Sequence, residues 1–222
     1  MSERVEATFA GVLMAVAATG IALAIVTVPW VTGVLVDRVD SAGLSGLSAP
    51  QARILAEEVR AYVTSSDAPA LRSTAFGRPA FDVEQAEHLD DVRGVMLGAR
   101  AVTFVAGVLV AAWLLLRLLR GRRDLTAAAT GVAGTVLLGV AGLALLAGLA
   151  DFDMLFARFH EVFFKPGTWH FDSGDLVIQL FPESFWVAAA GIWAALLVAS
   201  GVALLAASWA IARGRRSEAL RG

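Results

Sequence analysis

The 222-residue sequence contains no cysteine, which excludes thiol nucleophiles, disulfides, zinc–thiolate sites and thioether-attached haem together. Charge is scarce: Asp, Glu, Lys and Arg make up 17% of the chain, against about 25% in an average soluble protein. Histidine occurs three times and tyrosine once. Neither sign of charge dominates, since 18 basic residues against 20 acidic ones leave a net −2, and the basic face that nucleic acid requires is missing. No Walker, GxGxxG or GxSxG motif stands in a supporting context. Apolar residues, by contrast, are abundant, at 58% of the chain with a mean hydropathy of +0.70. This is the composition of a membrane protein.

A spanning helix needs about 20 apolar residues to cross roughly 30 Å of hydrocarbon. Charge is absent from Ala7 to Val28, from Ala101 to Leu116, from Leu125 to Ala150 and from Ser184 to Ala212. Each ionised group at mid-membrane costs about 2.5–3.5 kcal/mol on insertion scales, so four such runs predict four transmembrane helices, at 7–28, 95–119, 125–149 and 184–212. The first run is longer than the core of a secretory signal, and its flank Met1–Glu6 is not net positive; an uncleaved helix is expected.

Basic residues set the expected orientation. Arg117, Arg120, Arg122 and Arg123 surround the 120–124 link, and Arg213, Arg215, Arg216 and Arg221 lie in the 213–222 tail. The positive-inside rule assigns both to the cytoplasm, together with residues 1–6. The connections at 29–94 and 150–183 then face outwards. Up to Ala99 the first has ten acidic residues against six arginines, and from Asp151 the second has six against Arg158 and Lys165. Both are net acidic, which argues against holding anionic ligands by bulk charge. The expected fold is therefore all-α, with four transmembrane helices, both termini cytoplasmic, and a helical extracytoplasmic layer.

Within the apolar runs, Gly191, Ala195, Ala199, Ala203 and Ala207 repeat at a spacing of four, and the third run carries Gly131, Gly134, Gly139, Gly142 and Gly148. Small residues allow close helix packing, although an alanine-rich composition alone produces the same ladder. No Asp, Glu, Lys or His interrupts the third or fourth run, so a proton or ion path lacks its usual residues.

In the outer segments, the apolar periodicity of Ala49–Val63 predicts a helix. Asp82, with Gln85 three residues on, is placed to cap another, which carries Glu84, His88, Asp91, Val92 and Val95 and runs on into the second span. Phe152, Phe156, Phe159 and Phe163 repeat at helical spacing up to the breaker Lys165-Pro166-Gly167. This reads as a helix in the membrane surface, followed by Trp169 and Phe171 as interfacial anchors. Pro182 and Glu183 suit the start of the fourth span.

All three histidines, His88, His160 and His170, fall in the outer segments. His160 shares a stripe with Phe156 and Phe164, and neutral imidazole is the general acid or base best matched to neutral pH. A solvated or structural role is the alternative for each. Metal binding by His88, His160, Asp91 and Glu161 lacks HxxxH or HExxH spacing, and no metal site is expected. Arg100 stands where it would either contact ester carbonyls or snorkel to the interface.

The run Phe159-His160, Phe163-Phe164, Trp169, Phe171 and Asp175-Leu176-Val177-Ile178 to Pro182, preceded by Glu84/Glu87–His88–Asp91–Val92, resembles the signature of one bacterial integral-membrane family, the lipoprotein intramolecular transacylases, called Lit. The resemblance covers most of the chain. It implies transfer of the sn-2 acyl chain of a lipoprotein's N-terminal diacylglyceryl-Cys to the α-amino group of that Cys, at the outer face of the bacterial cytoplasmic membrane. It implies His88 and His160 as catalytic residues, and Asp91 and Trp169 as orienting or substrate-binding ones. His170 matches no position of the pattern. The implied partners are membrane lipids and bacterial lipoproteins.

An ester-to-amide exchange needs neither ATP nor acyl-CoA, so no cofactor is expected. An α-amine with a pKa of about 7.7–8.0 is partly neutral at pH 7; the poor leaving group is the glycerol oxygen. Two imidazoles answer both needs, with an acyl-histidine intermediate as a variant. The competing expectation is a non-enzymatic membrane protein whose outer layer binds a lipid or protein partner. Close approach of His88 and His160 discriminates between the two.

Overall fold

The computed structural model describes residues 2–121 and 123–219, with the side chains of Arg123 and 215–219 outside the description. Arg122 and Arg221, two of the basic residues counted above, lie outside the described residues, as does Met1. In chain order the elements are α1 (Glu3–Val26), α2 (Pro29–Arg38), α3 (Ser41–Ser45), α4 (Ala49–Thr64), β1 (Thr74–Ala75), β2 (Arg78–Pro79), α5 (Val83–Leu119), α6 (Arg123–Ala150), α7 (Phe152–Phe163), α8 (Leu176–Leu180) and α9 (Glu183–Ala219). Among the described residues, Glu3–Val26, Val83–Leu119, Asp124–Ala150 and Glu183–Gly214 are long and apolar enough to cross a membrane. The protein is an all-α integral membrane protein with four such helices, as the charge-free runs predict. Its large exposed side chains include Phe104, Leu118, Leu143 and Leu149, which lipid solvates and water would not.

The chain folds as two units. One comprises Met1–Leu23, Arg100–Leu146 and Trp193–Gly222. There Ala10 and Met14 of α1 pack with Ala129 and Ala133 of α6, and Ala15 and Ala22 pack with Leu137, Ala141 and Leu197. The buried α6 residues recur every four positions, the period of one helix face. Glu6 accepts a hydrogen bond from Trp113 Nε1 at 2.9 Å and pairs with Arg117, tying α1 to α5.

The small-residue ladder of the fourth apolar run does not form this packing. Gly191, Ala195, Ala199, Ala203 and Ala207 are all exposed, whereas Ala194, Leu197 and Gly201 are buried. Close approach is made instead by Gly201 and Gly134: a Cβ on Gly134 would stand 2.8 Å from the Gly201 carbonyl oxygen.

The other unit comprises Ala24–Ala99 and Ala147–Ile192. Pro29 opens α2 in its first turn, and Ser48 with Gln51 forms a capping box on α4. Leu35 and Val36 of α2 and Ala52, Leu55, Ala56 and Val59 of α4 fill the core. Ser41 is fully buried and donates to the Leu180 carbonyl at 2.8 Å, pinning α3 to α8. A two-residue turn, Phe76-Gly77, joins β1 to β2 with both φ angles positive, the geometry of a primed hairpin turn. Tyr62 donates to Asp90 while the Arg93 guanidinium lies 4.7 Å above its ring, so α4 holds the start of α5.

Candidate functional site

Asp82 caps α5 as its sequence predicts: its carboxylate accepts from the Gln85 backbone N–H at 2.8 Å. The first three turns of the helix carry Glu84, Glu87, Asp90, Asp91 and Arg93 and are distinct from its apolar stretch. His88 sits in this charged portion, ahead of the charge-free run, and is 8% exposed. Asp151 caps α7, accepting from Met154 N–H at 2.9 Å. That helix inverts the usual order: Met154, Phe159, Val162 and Phe163 are exposed, and His160 is its buried residue. The sequence wraps an imidazole inward and turns hydrocarbon outward.

The two buried histidines face each other. Their ring centroids lie 6.1 Å apart with planes inclined by 23°. Aromatic rings wall the pair: Phe164 lies 5.0 Å from the His88 ring and 5.3 Å from the His160 ring. Phe171 is 5.4 Å from His88, Phe156 is 4.0 Å from His160, and Trp169 is 4.8 Å from His160. His170 stacks on Trp169 at 3.8 Å. Trp169 and Phe171, read above as interfacial anchors, pack on the histidines. Gly167, with φ +89°, takes the left-handed conformation that a glycine adopts freely as the chain turns after α7.

Hydrogen bonding fixes one tautomer. His160 Nδ1 lies 2.8 Å from the Phe156 carbonyl oxygen, which only accepts, so Nδ1 carries the proton and Nε2 presents its lone pair. His88 Nδ1 is buried and has no partner among the described residues. Burial pushes the His88 imidazole down to about 4, with repulsion from His160 adding and the Asp91 charge opposing. Burial also lowers the His160 pKa against the opposing bond to Phe156, and the nearby His170 lowers it further. Both rings are therefore neutral at pH 7. At this separation both imidazoles can act on one substrate.

Of the other residues singled out above, Trp169 joins the pair. Asp91 is exposed and acts on His88 through its charge. Arg100 is exposed and belongs to the other unit. Glu161 pairs with Arg158 at 2.8 Å, and among the described residues no group of three or more His, Asp or Glu gathers as metal ligands. Sequence periodicity pointed to Phe156 and Phe164. It missed Phe171 as a wall of the site and read Gln85, which is 4% exposed, only as the capping partner of Asp82.

A family model described as "Lipoprotein intramolecular transacylase Lit" matches residues 7–186. The fold is similar to that of the membrane-integral lipoprotein intramolecular transacylase Lit from Bacillus cereus, with a TM-score of 0.82 and 16% identity over 97% of this chain and 98% of that one. It is also similar to two variants of that protein in which a histidine is replaced by arginine or by alanine. Each has a TM-score of 0.78 and 15% identity over 97% of this chain, covering 94% and 96% of theirs. No curated protein sequence matches.

Proposed function

Over residues 7–186 the chain belongs to the lipoprotein intramolecular transacylase family, Lit, and from that membership we propose that it moves the sn-2 acyl chain of a lipoprotein's N-terminal diacylglyceryl-Cys onto the α-amino group of the same Cys. Membership makes the chain an acyltransferase of the membrane and sets aside the non-enzymatic alternative. The observation that carries the finer reading is the facing pair, His88 and His160, with ring centroids 6.1 Å apart.

In the proposed reaction the amine nitrogen attacks the ester carbonyl carbon while His160 Nε2 takes one amine proton. The carbon–oxygen bond to glycerol then breaks, and the proton passes to the departing oxygen, so an ester and an amine become an amide and an alcohol. His88 assists that departure. Because its pKa is about 4, it does so as a neutral ring donating an N–H hydrogen bond, as a neutral imidazole can. Such proton transfers contribute roughly 10²–10⁴-fold. Trp169 packs against the His160 ring in a tilted contact, and its buried Nε1, without a partner among the described residues, is a donor for a substrate carbonyl. Asp91 tunes His88 by charge, and Arg100 snorkels at the interface.

The apolar outer surface of α7 suits contact with lipid acyl chains. We place the spans at 7–28, 95–119, 125–149 and 184–212, with residues 29–94 and 150–183 outside the bacterial cytoplasmic membrane and both termini within the cell. The test is mass spectrometry of the N-terminal lipopeptide of a reporter lipoprotein, in a host lacking N-acylating enzymes. The intact chain is expected to yield the N-acyl, lyso-glyceryl form, and His160→Ala the unchanged diacylglyceryl form. Equal product from the variant overturns the role of His160; no product from the intact, well-expressed chain overturns the reaction.

A further inference from the structure

Buried polar atoms without a partner concentrate at one place. Among the described residues five such side-chain atoms occur, and three are His88 Nδ1, Trp169 Nε1 and Gln85 Oε1. Gln85 stands three residues before His88 on α5, hence on the same face. The segment after α7 covers both residues: Phe171 packs on the His88 ring, and Asp175 meets the Gln85 amide. The amide has one orientation, because Nε2 donates to Asp82 Oδ2 at 2.9 Å and to Asp175 Oδ1 at 3.3 Å. Asp175 is itself held by the Asp172 N–H at 2.8 Å. With both N–H bonds committed to carboxylates, Oε1 is left as an oriented acceptor, and donation to two anions makes that oxygen a stronger one.

We propose that Gln85 is a further substrate-contacting residue of this site, its Oε1 accepting a hydrogen bond from the N–H of the substrate α-amine that is not transferred to His160. The inference rests on the transacylase reading. A nucleophilic amine has two N–H bonds and one lone pair. If His160 takes one proton and Oε1 holds the other N–H, the lone pair is fixed towards the ester carbon. As nitrogen gains positive charge during attack, that N–H becomes more acidic and its bond to Oε1 strengthens, so the contact favours the transition state over the bound substrate. A neutral oxygen is suited to this task where a carboxylate is not: an anion would favour the ammonium form, which has no lone pair.

The test uses the full chain in lipid with two synthetic diacylglyceryl lipopeptides, one bearing the natural primary α-amine and one an N-methyl amine with a single N–H. The unmodified chain is expected to turn over the primary amine at least tenfold faster than the N-methyl amine, in kcat/KM. Gln85→Met, similar in length and without the acceptor, is expected to lose roughly 10- to 100-fold on the primary amine, with the preference between the two amines collapsing. A variant that keeps the full preference overturns the proposal. So does an unmodified chain that treats both amines alike, a result that stands even if Gln85→Met fails to fold. An unmodified chain inactive on both peptides overturns the transacylase reading instead.

Discussion

A histidine ringed by aromatic side chains loses the water that would solvate its charge, and at His88 this outweighs the nearby Asp91 carboxylate. The consequence for catalysis is a matter of sign. His160, the base of the proposed reaction, must be neutral to work, and burial lowers its pKa as well, which keeps it competent to lower pH. The substrate amine, with a pKa of about 7.7–8.0, must also be neutral and is the first group lost as pH falls. The logarithm of kcat/KM is therefore expected to fall with a slope of one below pH 7.5 and to keep that slope through pH 6.5. An ordinary histidine would steepen it to two at about 6.5; a break there in a pH–rate profile would contradict the downward shift of His160. The same shift acts on folding. Between pH 6.5 and about 4 the unfolded chain binds the His88 proton and the folded chain does not, so the His88 contribution to stability declines as pH drops through that window.

Helices were legible in the sequence to different degrees, for reasons that lie in how far each is specified locally. The four apolar helices follow from runs without charge, a property each run carries by itself. Likewise α4, with its capping box and buried stripe, and α7, with its repeating phenylalanines, carry their own periodicity. Five-residue α3 and α8 are too short for any period to register, and they are held by a contact 139 positions apart in sequence, Ser41 to Leu180. The walls of the site divide in the same way. Phe156 and Phe164 flank His160 at helical steps, whereas Phe171 packs on His88 from a loop, and the Gln85 amide is oriented by Asp175, 90 positions away, neither of which a local pattern encodes. Which glycines matter was equally non-local. Gly134 meets a neighbouring backbone oxygen and Leu205 Cγ, while Gly139 has nothing within 4 Å of an added Cβ. Gly134→Ala is expected to destabilise the protein by about 1–3 kcal/mol through overpacking, and Gly139→Ala, mid-helix with open space, to be neutral or stabilising by up to about 1 kcal/mol. Thermal unfolding in detergent measures both, and equal effects would rule out the close approach of α6 and α9 at Gly134.

For the molecule as a whole, direction across the membrane decides whether the histidine pair can meet a lipoprotein at all, because diacylglyceryl-Cys is displayed outside the cell on the proposed reading. Direction is a property of the distribution of basic residues rather than of any helix. Each translocated arginine opposes insertion, and the dense clusters are those beginning at Arg117 and at Arg213. The 29–94 and 150–183 segments are net acidic and carry all three histidines. The absence of cysteine makes the sidedness directly measurable, since a single introduced thiol is the only one to react. Asp67 and Arg120 are both exposed, one in a loop of the first outer segment and the other at the link that follows α5. In right-side-out membrane vesicles, a membrane-impermeant maleimide is expected to label Asp67→Cys at once and Arg120→Cys only after the vesicles are opened. The reverse pattern would put His88 and His160 on the cytoplasmic side, away from the substrate, and the proposed reaction would fail there on topology alone.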